Sequence, residues 1–132
     1  MIARRRAGDD RGAAVADFVM VGALVILLFL AALQVGIDYY VRNVVSACLA
    51  DGARYGANAD VASSTAGAAK ANEEIARSLG SSYAAAFAAP PTAVDGAPVV
   101  TVRARIRLPL LAWFLPIGPT VDATGEAIEE PN

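Results

Sequence analysis

The feature that most constrains this chain is an uninterrupted apolar stretch near its N-terminus. From Phe18 to Ile37 the sequence contains no charged residue, and Asp17 and Asp38 bracket the stretch. At about 1.5 Å per residue, a helix of this length spans roughly 30 Å, the thickness of a bilayer's hydrocarbon core. A buried core helix would need apolar elements around it, whereas the remaining chain is mostly Ala, Gly, Ser and charged residues. The sequence therefore predicts a membrane-spanning helix.

The distribution of arginines predicts how this helix is oriented. Four arginines precede it, at positions 4, 5, 6 and 11, whereas Arg42 and Arg54 follow it. Because basic residues near a span are retained on the inner side, the N-terminus is expected in the cytoplasm. A basic segment before an apolar stretch also describes a secretory signal peptide, which would release a soluble domain. The length of the stretch and the carboxylate of Asp17 at its start oppose that alternative.

Composition limits what the rest of the chain can do. With 132 residues in total, the part outside the helix can form at most one small domain. The net charge is −2 and no basic tract follows the N-terminus, which argues against nucleic-acid binding. The sequence has no histidine, and its single cysteine, Cys48, is expected to be a small packed residue. We therefore predict neither an enzyme nor a cofactor or metal site.

Helical spacing continues beyond Asp38. Apolar residues at three- and four-residue intervals predict that the helix runs on as an amphipathic helix. The members of this stripe are Val41, Val44, Cys48 and Tyr55, with Val45 and Leu49 beside it. Because Gly52, Gly56 and Asn58 weaken a helix, a break is expected near residues 57–64.

A second helix is predicted from about Ser64 to Leu79. Small and apolar residues recur at helical spacing in this segment, and charged residues fall between them. Gly80 is its expected end, and residues 81–89 are expected to add a further helical turn or two.

Two segments with alternating residues follow Pro90 and Pro91. Val99–Leu108 alternates apolar residues with Thr101 and three arginines, and Thr120–Ile128 alternates apolar residues with two acids and a threonine. Each pattern predicts a half-buried strand. If the strands pair antiparallel, the arginines face acidic residues; the alternative is a patch that binds an anion or nucleic acid. The apolar segment Leu108–Pro119 between them is expected to cover the core or to contact the membrane or a neighbouring subunit.

These elements predict an α+β fold. It comprises a long N-terminal transmembrane helix continuing into an amphipathic helix, a second helix and a small C-terminal antiparallel β-hairpin. The expected regions are a cytoplasmic basic leader at 1–12, the transmembrane helix at 13–37, an extracytoplasmic helical region at 38–89 and a small β region at 90–132.

The start of the apolar stretch resembles that of TadE-like proteins, which are minor pseudopilins of tight-adherence pili and are related to type IV pilins. In that family a prepilin peptidase cuts after a glycine and leaves an acid at the fifth position and an aromatic residue at the sixth. A cut after Gly12 makes Ala13 the first residue, Asp17 the fifth and Phe18 the sixth. Asp17 departs from the family's usual glutamate.

A second segment of the chain is also similar to this family. Val41–Ala57 contains the family's GAR sequence as Gly52, Ala53 and Arg54. The resemblance covers about Arg11 to Ala57. It implies a role in pilus assembly and cell adhesion, with the prepilin peptidase, other pilins or pseudopilins, a pilus assembly platform and membrane lipid as partners.

Cleavage after Gly12 has a physical consequence of its own. It creates an α-amino group on Ala13, which is protonated near neutral pH. When helices stack, this ammonium loses water and needs an acidic partner, which Asp17 of a neighbouring helix can supply. Glycine at the cut lets the backbone extend into a protease cleft. The alternative hypothesis is an uncleaved single-pass anchor whose outer domain binds a partner in an envelope or secretion complex.

Overall fold

In the computed structural model of the protein, residues 9–58, 60–90, 92–108 and 120–129 are described. Two α-helices are followed by a short 3₁₀ turn and four strands. The elements are α1 (Asp9–Ala57), α2 (Ser64–Leu79), the 3₁₀ turn Ser81–Tyr83, β1 (Ala86–Ala88), β2 (Thr92–Val94), β3 (Ala97–Arg107) and β4 (Thr120–Ile128). The predicted α+β fold, with its apolar N-terminal helix, second helix and C-terminal antiparallel sheet, is confirmed.

The chain divides into two compact units. The first unit is Met1–Gly36 and the second is Ile37–Asn132, so α1 contributes residues to both. The finer division into four regions at 12, 37 and 89 stays a prediction.

The break between the helices falls where the sequence predicted it. The carbonyl oxygen of Asn58 accepts hydrogen bonds from the N–H groups of Val61 and Ala62, both at 2.9 Å. Ser63 caps α2, because its hydroxyl oxygen accepts a hydrogen bond from the Ala66 N–H. At the other end Gly80 has a φ of 104°, a conformation that side chains disfavour, and the helix stops there as expected.

The sheet is larger than the predicted hairpin. β3 is central: β1 and β2 pair with one of its edges and β4 pairs with the other, all antiparallel. The expected helical continuation after Gly80 is correct for Ser81–Tyr83 and wrong for Ala86–Ala88, which is a strand. β2 and β3 are joined by a two-residue turn in which Asp95 and Gly96 have positive φ values of 52° and 83°.

The pairing of β3 with β4 confirms the two alternating segments as neighbouring strands. Their register runs from Val99↔Ile128 to Arg107↔Thr120. The inner face of β3 is buried from Val100 onward, with Val100, Val102, Ala104 and Ile106 all 5% exposed or less, as is Leu108 just after the strand. Thr101 on the other face is also buried, because it lies beside the chain between β1 and β2, where the Ala89 N–H donates to its carbonyl oxygen.

We expected the arginines of β3 to lie opposite acidic residues of β4, and this is correct for one arginine. Arg105 lies opposite Asp122, and the guanidinium Nε donates to the carboxylate at 2.7 Å. Arg103 and Arg107 instead lie opposite Thr124 and Thr120. The ion pair is well exposed, so water and salt screen it and it adds little to stability.

The core of the second unit lies between the two helices and the inner face of the sheet. The largest fully buried side chains among the described residues are Leu49, Ile75, Val45 and Val102. The predicted stripe on α1 is confirmed at Val41 and Cys48 and is wrong at Tyr55, which is 43% exposed. Val45 and Leu49, which the sequence placed beside the stripe, are buried as well. Ala53 and Ala57 are buried in its place, because α1 passes too close to its neighbours for a large side chain. Leu108 is buried, and residues 109–119 of the predicted apolar loop lie outside the described part of the chain.

Candidate functional site

The predicted processing position lies near the beginning of α1. Within the described residues α1 runs from Asp9, so the peptide bond between Gly12 and Ala13 is helical, and both residues are exposed. A protease that needs an extended backbone must therefore unwind α1 at this end.

Asp17 and Phe18 follow on the same helix and both are exposed, Phe18 to 79%. Ala13 and Asp17 are four residues apart, which places them on one face of the helix, about 6 Å apart along its axis. A terminal ammonium at Ala13 would sit at the positive end of the helix dipole, where the nearby Asp17 carboxylate offsets an unfavourable charge. Ala13 and Asp17 thus share one exposed face of α1, whereas Phe18 projects to the side of that face.

The surface that follows is apolar and open. The exposed large apolar side chains on this part of α1 are Val15, Phe18, Val19, Met20, Val21, Leu24, Val25, Ile26, Leu27, Leu28, Phe29, Leu30, Leu33 and Val35. None of the most apolar window of this helix is buried within the described structure. No described atom comes within 4 Å of a Cβ built on Gly22 or Gly36. An unbroken apolar surface of this kind needs either lipid or other helices around it.

The family-like residues Gly52, Ala53 and Arg54 lie in the second unit and have a different environment. A Cβ on Gly52 would be 2.5 Å from the carbonyl oxygen of Gly67 and 2.8 Å from the Cβ of Ala71. Gly52 therefore permits α1 and α2 to cross in backbone contact. Ala53 is fully buried beside it.

Three further glycines make contacts that the sequence analysis missed. A Cβ on Gly56 would be 2.6 Å from the Ser63 carbonyl oxygen, and one on Gly125 would be 2.3 Å from the Leu49 carbonyl oxygen. A Cβ on Gly67, in α2, would be 2.6 Å from the Gly52 carbonyl oxygen. Gly52 and Gly56 were expected to weaken the helix, but α1 continues through both because the close packing compensates for their low propensity. Their four-residue spacing, which puts both on one helix face, was the available signal.

Arg54 lies on the exposed side of the crossing. Its guanidinium bonds the Asp51 carboxylate at 3.0 Å, and its side chain is 74% exposed. It is the charged member of the family-like segment that remains available to a partner.

Cys48 is a packed residue, as the sequence predicted. It is buried, and burial raises the pKa of its thiol, with the Glu74 and Asp51 carboxylates adding to the rise. A thiol with a raised pKa is a poor nucleophile at neutral pH.

The comparisons with known proteins agree with the N-terminal features. A family model described as TadE-like protein matches residues 12–54. The match begins at the predicted processing glycine, ends at Arg54 and confirms the resemblance noted in the sequence. No curated protein and no solved structure matches the chain. The match over residues 12–54 supports an association with tight-adherence pili, and α1 is long and apolar enough to cross a membrane once.

Proposed function

On the premise that residues 12–54 are a TadE-like segment, we propose that this protein is a minor pseudopilin that takes part in assembling or priming a tight-adherence pilus. Residues 13–37 cross the membrane, the leader at 1–12 lies in the cytoplasm and the second unit lies outside. A prepilin peptidase removes the leader after Gly12. The partners are other pilins or pseudopilins, the assembly platform and membrane lipid.

The observation that carries the proposal is the exposed apolar surface of α1 with one carboxylate at its start. Such a surface is stable in lipid, and it is equally suited to packing against the same surface of other pilin-class helices. Transfer from lipid to a helix bundle then exchanges one apolar environment for another, so a subunit can leave the bilayer without a large hydrophobic cost. The open glycines at 22 and 36 allow close helix approach in either setting.

Asp17 provides the electrostatic part of assembly. After cleavage the Ala13 ammonium and the Asp17 carboxylate are both held in apolar surroundings, where each unpaired charge is costly. A neighbouring subunit displaced along the helix axis can bring its ammonium to this carboxylate. Each new subunit then neutralises one charge of the previous one, which favours a fixed stagger between helices.

The mature N-terminus of the protein in its host membrane tests the processing step. We expect N-terminal sequencing and intact mass to show a chain that begins at Ala13. Replacement of Gly12 by Val, whose branched side chain would keep a protease from approaching the backbone closely, is expected to leave the leader attached. A native chain that retains residues 1–12 contradicts the proposal.

The Asp17→Asn variant separates assembly from processing. We expect this variant to be cleaved and inserted into the membrane normally. Its pilus yield is expected to fall about tenfold or more, because the Ala13 ammonium of a neighbouring subunit loses its carboxylate partner. Asp17→Glu restores the family's usual acid and is expected to assemble. Asp60→Asn, which removes an exposed carboxylate from the second unit, is the matched control. Full pilus yield from Asp17→Asn would contradict the charge-pairing role.

One observation favours the alternative of an uncleaved membrane anchor with a partner-binding outer domain. The bond after Gly12 lies inside α1, and helical bonds are poor protease substrates unless the helix opens. For that function we expect an intact leader in the native protein. We also expect the Gly12→Val variant to support the same pilus yield as the native protein.

A further inference from the structure

The two edges of the sheet differ in how their backbone groups are used. The Glu129 N–H donates to the Pro98 carbonyl oxygen at 2.9 Å, one step beyond the Val99↔Ile128 pair. Hydrogen-bonded pairs alternate along an antiparallel ladder, so the odd-numbered residues of β4 bond to β3. The even-numbered residues direct their N–H and C=O groups away from β3; these residues are Thr120, Asp122, Thr124, Glu126 and Ile128. Within the described ranges, β3 is the one strand paired with β4.

The opposite edge is closed. The same alternation directs the backbone groups of Ala86 in β1 away from β3. Both are taken by the carboxamide of Asn72 on α2, which donates to the Ala86 carbonyl oxygen and accepts from its N–H, each at 2.8 Å. β1 and β2 are three residues long each, and Pro90 between them has no N–H to offer. A strand added on this side would therefore find the Ala86 groups already bonded and only two short strands to pair with.

A groove accompanies the open edge. It has a volume of about 240 Å³ and lies between the end of α1 and the end of β4. Its lining residues are Arg54, Ala57, Asn58, Ala127 and Ile128. Ile128 is 65% exposed although it is a large apolar residue. A strand added beside β4 would cover Ile128 and direct an inward side chain into this groove.

The charges on β4 indicate what kind of strand fits. Asp122 is already paired with Arg105, whereas Glu126 lies opposite the neutral Thr101 and has no ion pair within the described residues. Opposite charges on directly facing residues stabilise a strand pair, and like charges destabilise it. Two copies of β4 paired antiparallel about Thr124 would bring Asp122 against Glu126, so a second β4 is a poor occupant.

We propose that the free edge of β4 binds an extended strand of another polypeptide, with a basic side chain opposite Glu126 and an apolar or amide side chain in the groove beside Arg54. Main-chain hydrogen bonds to the even-numbered residues supply the affinity, as in other cases of strand addition. The strand extends the sheet beyond β4 and leaves the core unchanged.

Amide hydrogen exchange of the full chain in nanodiscs of zwitterionic lipid tests whether the edge is free. We expect the amides of the even-numbered β4 residues to exchange quickly and those of Val121, Ala123, Gly125 and Ala127 to exchange slowly. Equal protection of both sets would show that another part of this chain, such as residues 109–119, already occupies the edge, and would overturn the proposal.

Binding is then measured with a synthetic peptide as long as β4 in which Lys alternates with Val. Its expected effect is slow exchange of the even-numbered amides on addition of peptide, with saturation. The same peptide with Glu in place of Lys is expected to bind about three- to tenfold more weakly, because it places a like charge opposite Glu126. Empty nanodiscs control for binding to lipid.

Two variants identify the binding edge. Thr124→Pro removes an outward N–H and no bond to β3, so the fold is expected to persist while peptide affinity falls about tenfold. Glu126→Lys keeps every backbone group and is expected to reverse the preference between the Lys and Glu peptides. Binding that is unaffected by both variants, or no saturable binding to the native chain, would overturn the proposal.

Discussion

The glycines of the second unit act by having no side chain. Gly52, Gly56, Gly67 and Gly125 each face a backbone atom of another segment at a distance that a Cβ cannot occupy. Gly52 and Gly56 entered the sequence analysis as residues that disfavour a helix, and Gly52 also as part of the family-like segment. Intrinsic propensity describes an isolated helix, whereas here the energy comes from the contact between two backbones, which propensity does not describe.

Gly52→Ala is expected to destabilise the second unit by about 1–3 kcal/mol, because the new methyl group overlaps the Gly67 carbonyl oxygen and the helices must separate. Chemical denaturation of the full chain in detergent, followed by circular dichroism, measures the change. Ala47→Ser adds one atom at an exposed position of α1 and is expected to cost about 0.5 kcal/mol. Equal stability of the Gly52→Ala and native chains would contradict the close crossing.

The burial of Cys48 gives the protein a defined pH dependence. Burial, and then Glu74 and Asp51, raise the pKa of the folded thiol above its unfolded value. The unfolded chain therefore ionises first, so this contribution to stability is fully present below the ordinary thiol pKa and is lost as pH rises through the folded pKa. Cys48→Ala is expected to remove that part of the alkaline decline in unfolding free energy. Native Cys48 should also react with iodoacetamide much more slowly than the denatured chain at pH 8.

At the level of elements, the long periodic segments were predictable. The end of α1, the whole of α2, and β4 follow from apolar spacing and capping residues, because each buries one continuous face. β1 and β2 were missed because three neutral residues carry no periodicity. The Asp95–Gly96 pair was a usable hairpin signal for β2, since both residues have positive φ in the two-residue turn.

Asn72 joins α2 to the sheet through its carboxamide. Asn72→Ala removes both hydrogen bonds to Ala86 and leaves a half-buried N–H and C=O without partners, so we expect a loss of about 1–3 kcal/mol. Denaturation midpoints report the loss, and faster exchange of the Ala86 amide locates it. Asn43→Ala, at an exposed position of α1, is the matched control and should change stability by about 0.5 kcal/mol or less. An equal change in denaturation midpoint for both variants would show that the Asn72 hydrogen bonds do not stabilise β1.

For the whole molecule, the roles of the candidate processing and assembly residues stay predictions, and what the sequence supplied is their order along one helix. The register of Gly12, Ala13, Asp17 and Phe18 depends only on position along one helix, and α1 keeps those residues exposed on it. The edge of β4 that is unpaired within the described residues was not predictable, because it depends on which strands lie side by side. The closure of the opposite edge depends on Asn72, which lies fourteen positions before the Ala86 that it caps.

Topology provides a test at the same scale. We expect the protein to remain in the membrane fraction after alkaline extraction, because α1 presents an apolar span. A C-terminal tag is expected to be digested when protease is added to intact spheroplasts, whereas a cytoplasmic reporter survives as the control. Protection of the tag would reverse the orientation that the N-terminal arginines predict.

The core of the second unit is built largely from alanine and valine, with Leu49 and Ile75 as its largest fully buried side chains in the described structure. Unfolding such a core hydrates little apolar area per residue, and the heat-capacity increment of unfolding scales with that area. The free energy of unfolding of this unit should therefore vary only shallowly with temperature. Cooling is expected to raise it little, and cold denaturation is not expected at accessible temperatures.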